Sequence, residues 1–397
     1  MTSYPQIFLR PSKLKALEGG HPWVLDKSII EPTVPLAVGT IVDLTLPDGR
    51  FVARGIYNPV SRIRVRIYQW NAMRPLDDVW LIERLDIALS LRRKWRDAIG
   101  NVDAMRLVNS EGDGLSGLII DRFGGCVVIQ LAAAAMMDRL PIIQSWLTER
   151  FQPSCIWLRI DEHIAEMEGL PVGDRILQGE LPSESMSIVE HGVRIQFSLV
   201  AGQKTGYYLD QRENRYAAAK WISGRMLDVC CYLGGFSLAA ARWGSPTQIL
   251  ALDASRRALE QAELNAKLNL VDNITFRQGD CFEQLDQLSS AGERFDSVVL
   301  DPPKMAGNRK QTDAALRAYH RLNSCAMRLL VPGGILVSCS CSGRVSRDEF
   351  AHMLAVVASR TNKRVTIIEQ RGAAPDHPVS LACPESEYLK CIICRVE

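Results

Sequence analysis

The 397-residue sequence lacks any uninterrupted apolar run of the roughly 18 residues that a membrane-spanning helix requires. Its first ten residues also lack the apolar core of a secretory signal. The 11 cysteines are odd in number and do not follow the spacing of a disulfide-rich scaffold. We therefore expect a cytoplasmic protein with free thiols and no membrane partner.

Internal repeats and low-complexity tracts are absent as well. The apolar fraction of 47% and the charged fraction of 23% are ordinary for a folded protein. At roughly 150 residues per domain, this length predicts two or three domains. The net charge of +2 conceals an uneven distribution, because residues 1–75 carry ten Lys and Arg against five Asp and Glu. This excess suits a nucleic-acid-binding module, although a solvated basic face has the same composition.

Short strands separated by turns fill residues 7–70. A turn signal at Leu46–Arg50 separates the apolar runs Gly39–Leu46 and Phe51–Tyr57. The pattern predicts a small β-barrel.

Three arginines follow in one strand. Arg62, Arg64 and Arg66 alternate with apolar residues, so they should share one face at a spacing of about 6.6 Å. Such a stripe could follow a phosphate backbone. The alternative is the exposed polar face of an antiparallel strand.

The next segments alternate less regularly. Apolar residues at helical spacing predict a connecting helix in residues 76–103. Strand-like runs around a helical stretch then predict an α+β domain over residues 104–200. The strand-like runs are Met105–Val108, Leu118–Asp121, Cys126–Leu131, Cys155–Arg159 and Val193–Leu199, and the helical stretch is Met136–Arg150.

The rest of the chain, residues 201–397, alternates short apolar strands with helical segments. This rhythm predicts a mostly parallel sheet covered by helices on both faces. The predicted parallel strands are Met226–Val229, Ile249–Asp253, Ile274–Gln278, Ser297–Leu300 and Ile335–Ser338. Two more runs, Val365–Gln370 and Tyr388–Val396, are expected to close the sheet as a hairpin.

A glycine pair follows the first of these strands. Gly234 and Gly235 allow the backbone to approach a ligand at the carboxyl end of the strand. Asp253 ends the next strand, 19 residues after Gly234, where an acidic side chain can bind ribose hydroxyls. Together, the glycine turn and Asp253 indicate an adenosine-containing cofactor. The alternative is a tight turn with a capping or surface aspartate. We add to this cofactor site the neighbouring side chains Asp228, Tyr232 and Phe236.

The dinucleotide fingerprint G-x-G-x-x-G is missing, which disfavours nicotinamide and flavin enzymes. S-adenosylmethionine fits better, because it carries adenosine and an amino-acid tail but no pyrophosphate. Asp280, after the third strand, is placed to reach an adenine amine. It could equally cap the following helix.

The fourth strand leads into Asp301-Pro302-Pro303-Lys304. Two consecutive prolines stiffen the loop and hold the Asp301 carboxylate at the mouth of the sheet. We count Asp301 and Lys304 as candidate catalytic residues, and Asp301 also as a cofactor contact. A turn with a surface aspartate is the alternative.

Two cysteines, Cys339 and Cys341, follow the fifth strand. A lone cysteine here would most often be a buried structural residue. Cytosine C5, however, can attack a methyl sulfonium only after a thiolate has added to C6. The ring then needs an acid near N3, for which Asp301 is suitable. These residues therefore predict cytosine methylation, with the C5 proton-abstracting base unidentified.

We predict no metal site. Cys391 and Cys394 have C-x-x-C spacing but lie in an apolar strand without a second pair. His163 and His191 lack partners at ligand spacing.

At its motifs the chain resembles the ribosomal RNA large subunit methyltransferase I family, whose members methylate cytosine C5 in 23S ribosomal RNA. The resemblance spans the whole chain, and its longest matching segment, Gly202–Arg212, is the most specific. The matching segments are Gly20–Val24, Asn109–Leu115, Gly202–Arg212, Gly234–Gly235, Asp301–Lys304 and Cys339–Ser342.

The resemblance implies a multidomain α/β protein: an N-terminal PUA-like β-barrel that binds RNA, a middle α+β domain and a C-terminal Rossmann-like class I methyltransferase domain. Their expected limits are 1–75, 104–200 and 201–397, with the connecting helix in 76–103. It also places four residues near the cofactor tail or target base: Lys204, Tyr207, Asp210 and Arg212.

The predicted nucleophile depends on the alignment. Matching Ser-Cys-Ser favours Cys341, whereas matching the strand end favours Cys339, and we choose Cys341. The predicted product is 5-methylcytidine in large-subunit ribosomal RNA. The alternatives are methylation of an exocyclic base nitrogen and a non-catalytic RNA-binding assembly factor. The sequence leaves the oligomeric state open, a homodimer being one alternative.

Overall fold

The computed structural model describes residues 4–100, 102–182, 185–200, 206–305 and 312–397. The chain divides into two units. The first comprises Met1–Ser183 and Pro375–Ser386, and the second comprises Glu184–Ala374 and Glu387–Glu397. In the described ranges, no helix is both long and apolar enough to cross a membrane.

The first unit begins with a six-stranded, barrel-like sheet. Its strands are β1 Gln6–Leu9, β2 Trp23–Leu25, β3 Ile29–Ile30, β4 Ile41–Thr45, β5 Phe51–Tyr57 and β6 Ile63–Gln69, in the order β2-β6-β5-β4-β1-β3. The predicted turn joins β4 to β5, and Gly49 takes the left-handed conformation there with φ +83°. Alternating side chains such as Leu9, Val42 and Val65 form the apolar core.

A helix and a second sheet complete the first unit. Helix α1, Asp78–Ile99, begins where the Asp77 side chain accepts a hydrogen bond from the Trp80 amide. The strands that follow are β7 Ala104–Asn109, β8 Leu118–Phe123, β9 Cys126–Leu131, β10 Cys155–Arg159 and β11 Arg175–Gly179, with helices α2 Leu140–Phe151 and α3 Glu162–Glu168. Their order is β11-β10-β9-β8-β7.

The arginine stripe of β6 is not a continuous exposed surface. Arg62 is exposed and Arg64 half-buried, but Arg66 is 6% exposed. The Arg66 guanidinium lies 3.0 Å from both Glu168 Oε1 and Ser116 Oγ. The alternation of β6 predicted three exposed arginines, but other segments of the same unit cover Arg66.

The second unit begins with the hairpin β12 Met186–Glu190 and β13 Val193–Phe197, followed by helix α4 Arg212–Ala219. A seven-stranded sheet then contains β14 Ser223–Val229, β15 Ser245–Asp253, β16 Ile274–Gln278, β17 Phe295–Leu300, β18 Leu330–Ser340, β19 Val365–Arg371 and β20 Lys390–Val396. Its helices are α5 Gly235–Trp243, α6 Arg256–Leu268, α7 Cys281–Ser290, α8 Thr312–Leu329 and α9 Arg347–Arg360. Short 3-10 helices of both units span Pro11–Leu17, Asp26–Ser28, Ser110–Asp113, Ala134–Arg139, Leu209–Gln211 and Pro384–Ser386.

The sheet of the second unit has the order β16-β15-β14-β17-β18-β20-β19. Strands β14 to β18 are parallel, whereas β20 pairs antiparallel with both β18 and β19. The predicted parallel sheet with a closing hairpin is thus confirmed. Because the strand order reverses between β14 and β17, a crevice is expected at their carboxyl ends.

Two segments of the chain belong to a different unit from their neighbours in sequence. The hairpin β12–β13 belongs to the second unit although it precedes residue 200, and Pro375–Ser386 returns to the first unit. Asn265 on α6 binds the hairpin through its Oδ1, which accepts the Gln196 amide at 2.8 Å. A linear pattern of strands and helices contains no signal for such returns.

Candidate active site

The first turn at the crevice has unusual backbone geometry. After β14, Cys230, Tyr232 and Gly234 all take positive φ, at +62°, +50° and +81°. A Cβ on the following Gly235 would lie 2.7 Å from Arg215 Nε and 2.9 Å from the Tyr207 hydroxyl. Glycine is therefore favoured at these two positions for different reasons. Gly234 has a left-handed backbone, and Gly235 has no room for a side chain.

Asp253, at the end of β15, is tied to this turn. Its Oδ2 accepts the Tyr232 amide at 2.9 Å, and its Oδ1 accepts the Ser255 amide at 2.9 Å. Each carboxylate oxygen has a second lone pair, so the half-buried group can still accept hydrogen bonds from a ligand.

Asp280 is an exposed helix cap. Its Oδ1 accepts the amides of Phe282 at 2.9 Å and Glu283 at 3.2 Å at the start of α7. The capping alternative is therefore realised. It leaves a contact with adenine available through Oδ2.

Asp228 is fully buried in β14. Its Oδ2 accepts hydrogen bonds from the Ser237 amide at 3.1 Å and the Ser237 hydroxyl at 2.6 Å. Burial, together with the nearby charges of Asp301 and Asp253, raises the pKa of Asp228 to about 7. Phe236 is also buried, within an apolar cluster on one face of the sheet.

The segment before α4 lies against the first turn. Tyr207 is stacked on Phe197 at 5.8 Å between ring centroids, and the Arg215 guanidinium lies 4.5 Å from the Tyr207 ring centroid. Asp210 accepts a 2.6 Å hydrogen bond from the Tyr388 hydroxyl. Arg212 is buried as the first residue of α4. Lys204, predicted to belong here, lies outside the described residues.

Asp301 follows β17 and is positioned by a hydrogen-bonded chain of side chains. Its Oδ1 accepts the Gln211 side-chain amide at 2.9 Å. The Asn214 amide donates in turn to Gln211 Oε1 at 2.6 Å, and Arg371 Nε donates to Asn214 Oδ1 at 3.1 Å. Gln211 lies within the matching segment Gly202–Arg212, whereas no sequence motif includes Asn214.

The two candidate thiols differ in their surroundings. Strand β18 extends to Ser340, beyond the predicted end at Ser338, so Cys339 lies inside it and is 1% exposed. A hydrogen bond with Cys391 and burial both raise the pKa of Cys339 well above its ordinary value. Cys341 is half-buried, with its Sγ 3.9 Å from the Pro302 carbonyl oxygen. Lys304 is exposed two residues further along that loop.

One group of side chains has the composition of a metal site. His21, Cys383 and Glu385 of the first unit place one ligand atom each within 4.8 Å of one another. The Trp23 amide donates to His21 Nδ1 at 3.2 Å, and Nε2 lies 3.2 Å from Glu385 Oε2. With Nδ1 as an acceptor, the ring proton lies on Nε2 and is donated to Glu385 Oε2.

Comparison with known proteins identifies both parts of the chain. Residues 173–386 match the family model for S-adenosylmethionine-dependent methyltransferases, and residues 7–70 match that for PUA-like domains. The ribosomal RNA large subunit methyltransferases I of Erwinia tasmaniensis and Photobacterium profundum are each 36% identical to this chain. Each match covers 98% of this chain and 99% of the relative. This chain belongs to the ribosomal RNA large subunit methyltransferase I family.

Solved structures show the same fold. SMU.776, assigned as a methyltransferase and crystallised with S-adenosylhomocysteine, superposes with a TM-score of 0.84 at 18% identity, over 99% of this chain and 100% of that one. A structure assigned as an S-adenosylmethionine-dependent methyltransferase from Streptococcus mutans gives 0.82 at 18% identity, over 98% and 100%. The PUA-like and Rossmann-like architecture expected for the ribosomal RNA large subunit methyltransferase I family is confirmed.

The buried polar atoms of the site fit the cofactor of this family, S-adenosylmethionine. In the described part of the chain, the Tyr207 hydroxyl and Asp228 Oδ1 are buried without a hydrogen-bond partner. Both belong to the elements around the first turn, where a Cβ at Gly235 would meet the Tyr207 hydroxyl. A buried polar atom without a hydrogen-bond partner lowers the stability of the fold unless a ligand or water binds it. This hydroxyl and this carboxylate oxygen therefore suit a polar, cationic ligand.

Proposed function

We propose that this methyltransferase acts on C5 of a cytidine in large-subunit ribosomal RNA and gives 5-methylcytidine, with S-adenosylhomocysteine as the second product. The observation that carries the proposal is the position of Cys341. Its thiol lies just beyond the end of β18, against the Pro302 carbonyl of the loop that presents Asp301. A base seated in this crevice would meet a thiol and a carboxyl group together.

The chemistry follows from the two side chains. The Cys341 thiolate adds to C6, forming a C–S bond and making C5 nucleophilic. The Asp301 carboxyl group donates a hydrogen bond or proton toward N3 as charge develops there. S-adenosylmethionine supplies an electrophilic methyl group. Loss of the C5 proton to a base then breaks the C6–S bond and restores the thiolate, while N3 returns its proton to Asp301.

The structure supports Cys341 over Cys339 as nucleophile. Cys339 is 1% exposed and hydrogen-bonded to Cys391 across β18 and β20. Its raised pKa leaves little thiolate at neutral pH. Cys341 is half-buried at the strand end, so a base can reach it.

For the cofactor, we propose that Asp253 binds the ribose hydroxyls and Asp280 the adenine amine. The backbone of the turn that contains Gly234 and Gly235 would lie against the ligand, and Asp228, Tyr207 and Tyr232 would face its polar tail. Phe236 supports the turn from the core. The remaining proposed contacts with the cofactor tail or target base are Lys204, Asp210, Arg212 and Asp301.

Ribosomal RNA as substrate rests on the names of the relatives. Within the PUA-like sheet, Arg62 is the exposed member of the predicted stripe, whereas Arg64 donates to Glu31 Oε1 at 3.1 Å. We propose that Arg62, together with Arg64 once it exchanges Glu31 for phosphate, contacts the RNA backbone. Arg66 is committed to Glu168 and contributes to stability instead.

Two experiments test this proposal. The first maps 5-methylcytidine in ribosomal RNA from cells with and without the protein, and an unchanged map would contradict it. The second incubates the enzyme with RNA that carries 5-fluorocytidine, whose fluorine blocks the final elimination. We expect a covalent adduct on the Cys341 peptide. A methyl group on a base nitrogen would indicate the exocyclic alternative, and no transfer to any RNA would indicate a non-catalytic binding factor.

A further inference from the structure

Lys390 is a buried lysine at the start of β20. Its side chain is 1% exposed, although lysine is almost never fully buried without partners. The Nζ atom donates to the carbonyl oxygens of Ser342 at 2.7 Å and of Tyr388 at 2.9 Å. Two of the three ammonium hydrogens are thereby satisfied by backbone groups. No motif in the sequence marks Lys390 as a functional residue.

The position of Lys390 connects it to the Cys341 segment. Lys390 pairs with Ser340 in the antiparallel ladder of β18 and β20. The hydrogen bond to the Ser342 carbonyl then crosses to the residue that follows Cys341. The lysine therefore contacts the chain on both sides of the cysteine.

The titratable and charged groups near Lys390 include Cys341, Glu387, Arg347 and Glu349, and Tyr208 and Tyr319 lie near Cys341. Glu387 is bound to Arg347 at 2.5 Å, and Glu349 accepts the Ser346 amide in the capping box of α9. Neither carboxylate is hydrogen-bonded to Nζ. Burial lowers the pKa of Lys390 to about 8, and among the neighbouring groups Cys341 does most to raise it. At pH 7 the ammonium form therefore predominates by about ten to one.

We infer that Lys390 is a positioning residue for Cys341: it holds the Cys341–Ser342 backbone at the strand end, and its ammonium charge stabilises the thiolate. This inference rests on the proposed function of Cys341. The thiol proton passes to solvent, and Lys390 remains protonated throughout. Because Lys390 is buried, it does not touch the substrate base.

The test measures the thiol rather than methyl transfer. The full-length protein, without RNA or cofactor, is alkylated with iodoacetamide between pH 5 and 10, and the rate at each cysteine is read by peptide mass spectrometry. In Lys390→Met the pH midpoint of Cys341 alkylation should rise by about one unit, so the rate at pH 7 should fall about tenfold. Lys390→Arg retains the charge and should restore most of the rate.

Cys281 is the internal control, because this half-buried thiol at the start of α7 is hydrogen-bonded to Cys230. Its pH profile should not change. If Lys390→Met unfolds, the buried thiols Cys339 and Cys391 will become reactive. Lys390→Gln, which can still donate to the carbonyls, then takes its place. An unchanged Cys341 midpoint in a folded, uncharged variant would overturn the inference.

Activity measurements separate this inference from the proposed function. If Lys390→Met shifts the Cys341 midpoint while Cys341→Ala still methylates RNA, thiol catalysis is wrong and the electrostatic pairing stands. If Cys341→Ala is inactive but the midpoint does not move, the pairing is wrong and thiol catalysis stands. If both hold, Lys390→Met should lower kcat and shift the acidic limb of its pH profile upward, with cofactor affinity unchanged.

Discussion

The Gln211 side-chain amide donates a 2.9 Å hydrogen bond to Asp301 Oδ1, joining the segment before α4 to the loop after β17. The amide orients a carboxyl group that would otherwise rotate at the mouth of the sheet. Asn214 orients Gln211 in the same way. The position of Asp301 thus depends on residues about 90 positions earlier in the chain.

Gln211→Ala should lower kcat about tenfold with little change in cofactor affinity. The substitution removes a hydrogen bond to a charged group, which contributes roughly 1.5 to 3 kcal/mol, from a residue proposed to act in the chemical step. Steady-state methyl transfer and calorimetry measure the two quantities. Gln287→Ala, an exposed glutamine on α7, is the matched control. Equal losses in both variants would contradict a specific role.

Cys341→Ala should abolish methyl transfer while it retains cofactor and RNA binding, because the nucleophile acts only after both substrates are bound. Cys339→Ala should keep appreciable activity, since Cys339 is buried against Cys391. Transfer of tritiated methyl to ribosomal RNA distinguishes the two variants. Inactive Cys339→Ala with active Cys341→Ala would reverse the assignment.

Asp253→Ala should weaken S-adenosylmethionine binding about tenfold or more, because a charge-assisted hydrogen bond contributes roughly 1.5 to 3 kcal/mol. Calorimetry measures the affinity. Asp253 also accepts the Tyr232 and Ser255 amides, so thermal unfolding must show that the fold is retained. Asp272→Ala removes an exposed carboxylate elsewhere and should leave the affinity unchanged.

Asp228→Asn should alter how stability depends on pH. Because burial raises the pKa of Asp228 from 3.8 to about 7, the folded protein binds a proton that the unfolded chain releases in this interval. The contribution of Asp228 to the free energy of unfolding therefore falls as pH rises from about 4 to 7, by at most about 1.4 kcal/mol per pH unit. Relative to wild type, the asparagine variant should gain stability over that interval in urea unfolding. If the unfolding free energies of the two proteins changed with pH in parallel, Asp228 would have an ordinary pKa.

Arg66→Ala and Arg62→Ala should separate stability from RNA binding. Removing Arg66 leaves Glu168, which is 5% exposed, without its ion-pair partner and should cost about 3 to 5 kcal/mol of unfolding free energy. Removing exposed Arg62 should change stability by less than about 0.5 kcal/mol. It should instead lower the salt dependence of RNA affinity by the amount that about one phosphate contact contributes. An unchanged salt slope would remove Arg62 from the RNA surface.

Local pattern alone predicted many elements of this fold. The strands Phe51–Tyr57, Cys126–Leu131, Cys155–Arg159 and Ile274–Gln278 have the predicted bounds. Each is a short run of apolar or alternating residues between turn residues, so its extent depends on neighbours in sequence. Strand β18 begins five residues earlier than predicted, since Pro332, Gly333 and Gly334 interrupt its pattern while pairing with β17 continues to Leu330.

The sequence by itself determined the parallel sheet, the loops at its carboxyl edge and the residue types that those loops carry, because strand period and turn chemistry are local properties. Only the tertiary structure decided which of these side chains is available. Cys339 is buried because β20 pairs beside it, Arg66 because Glu168 and Ser116 lie against it, and Asp301 is oriented because Gln211 reaches it. Burial and hydrogen-bond partners come from segments distant in sequence, so no local pattern contains them.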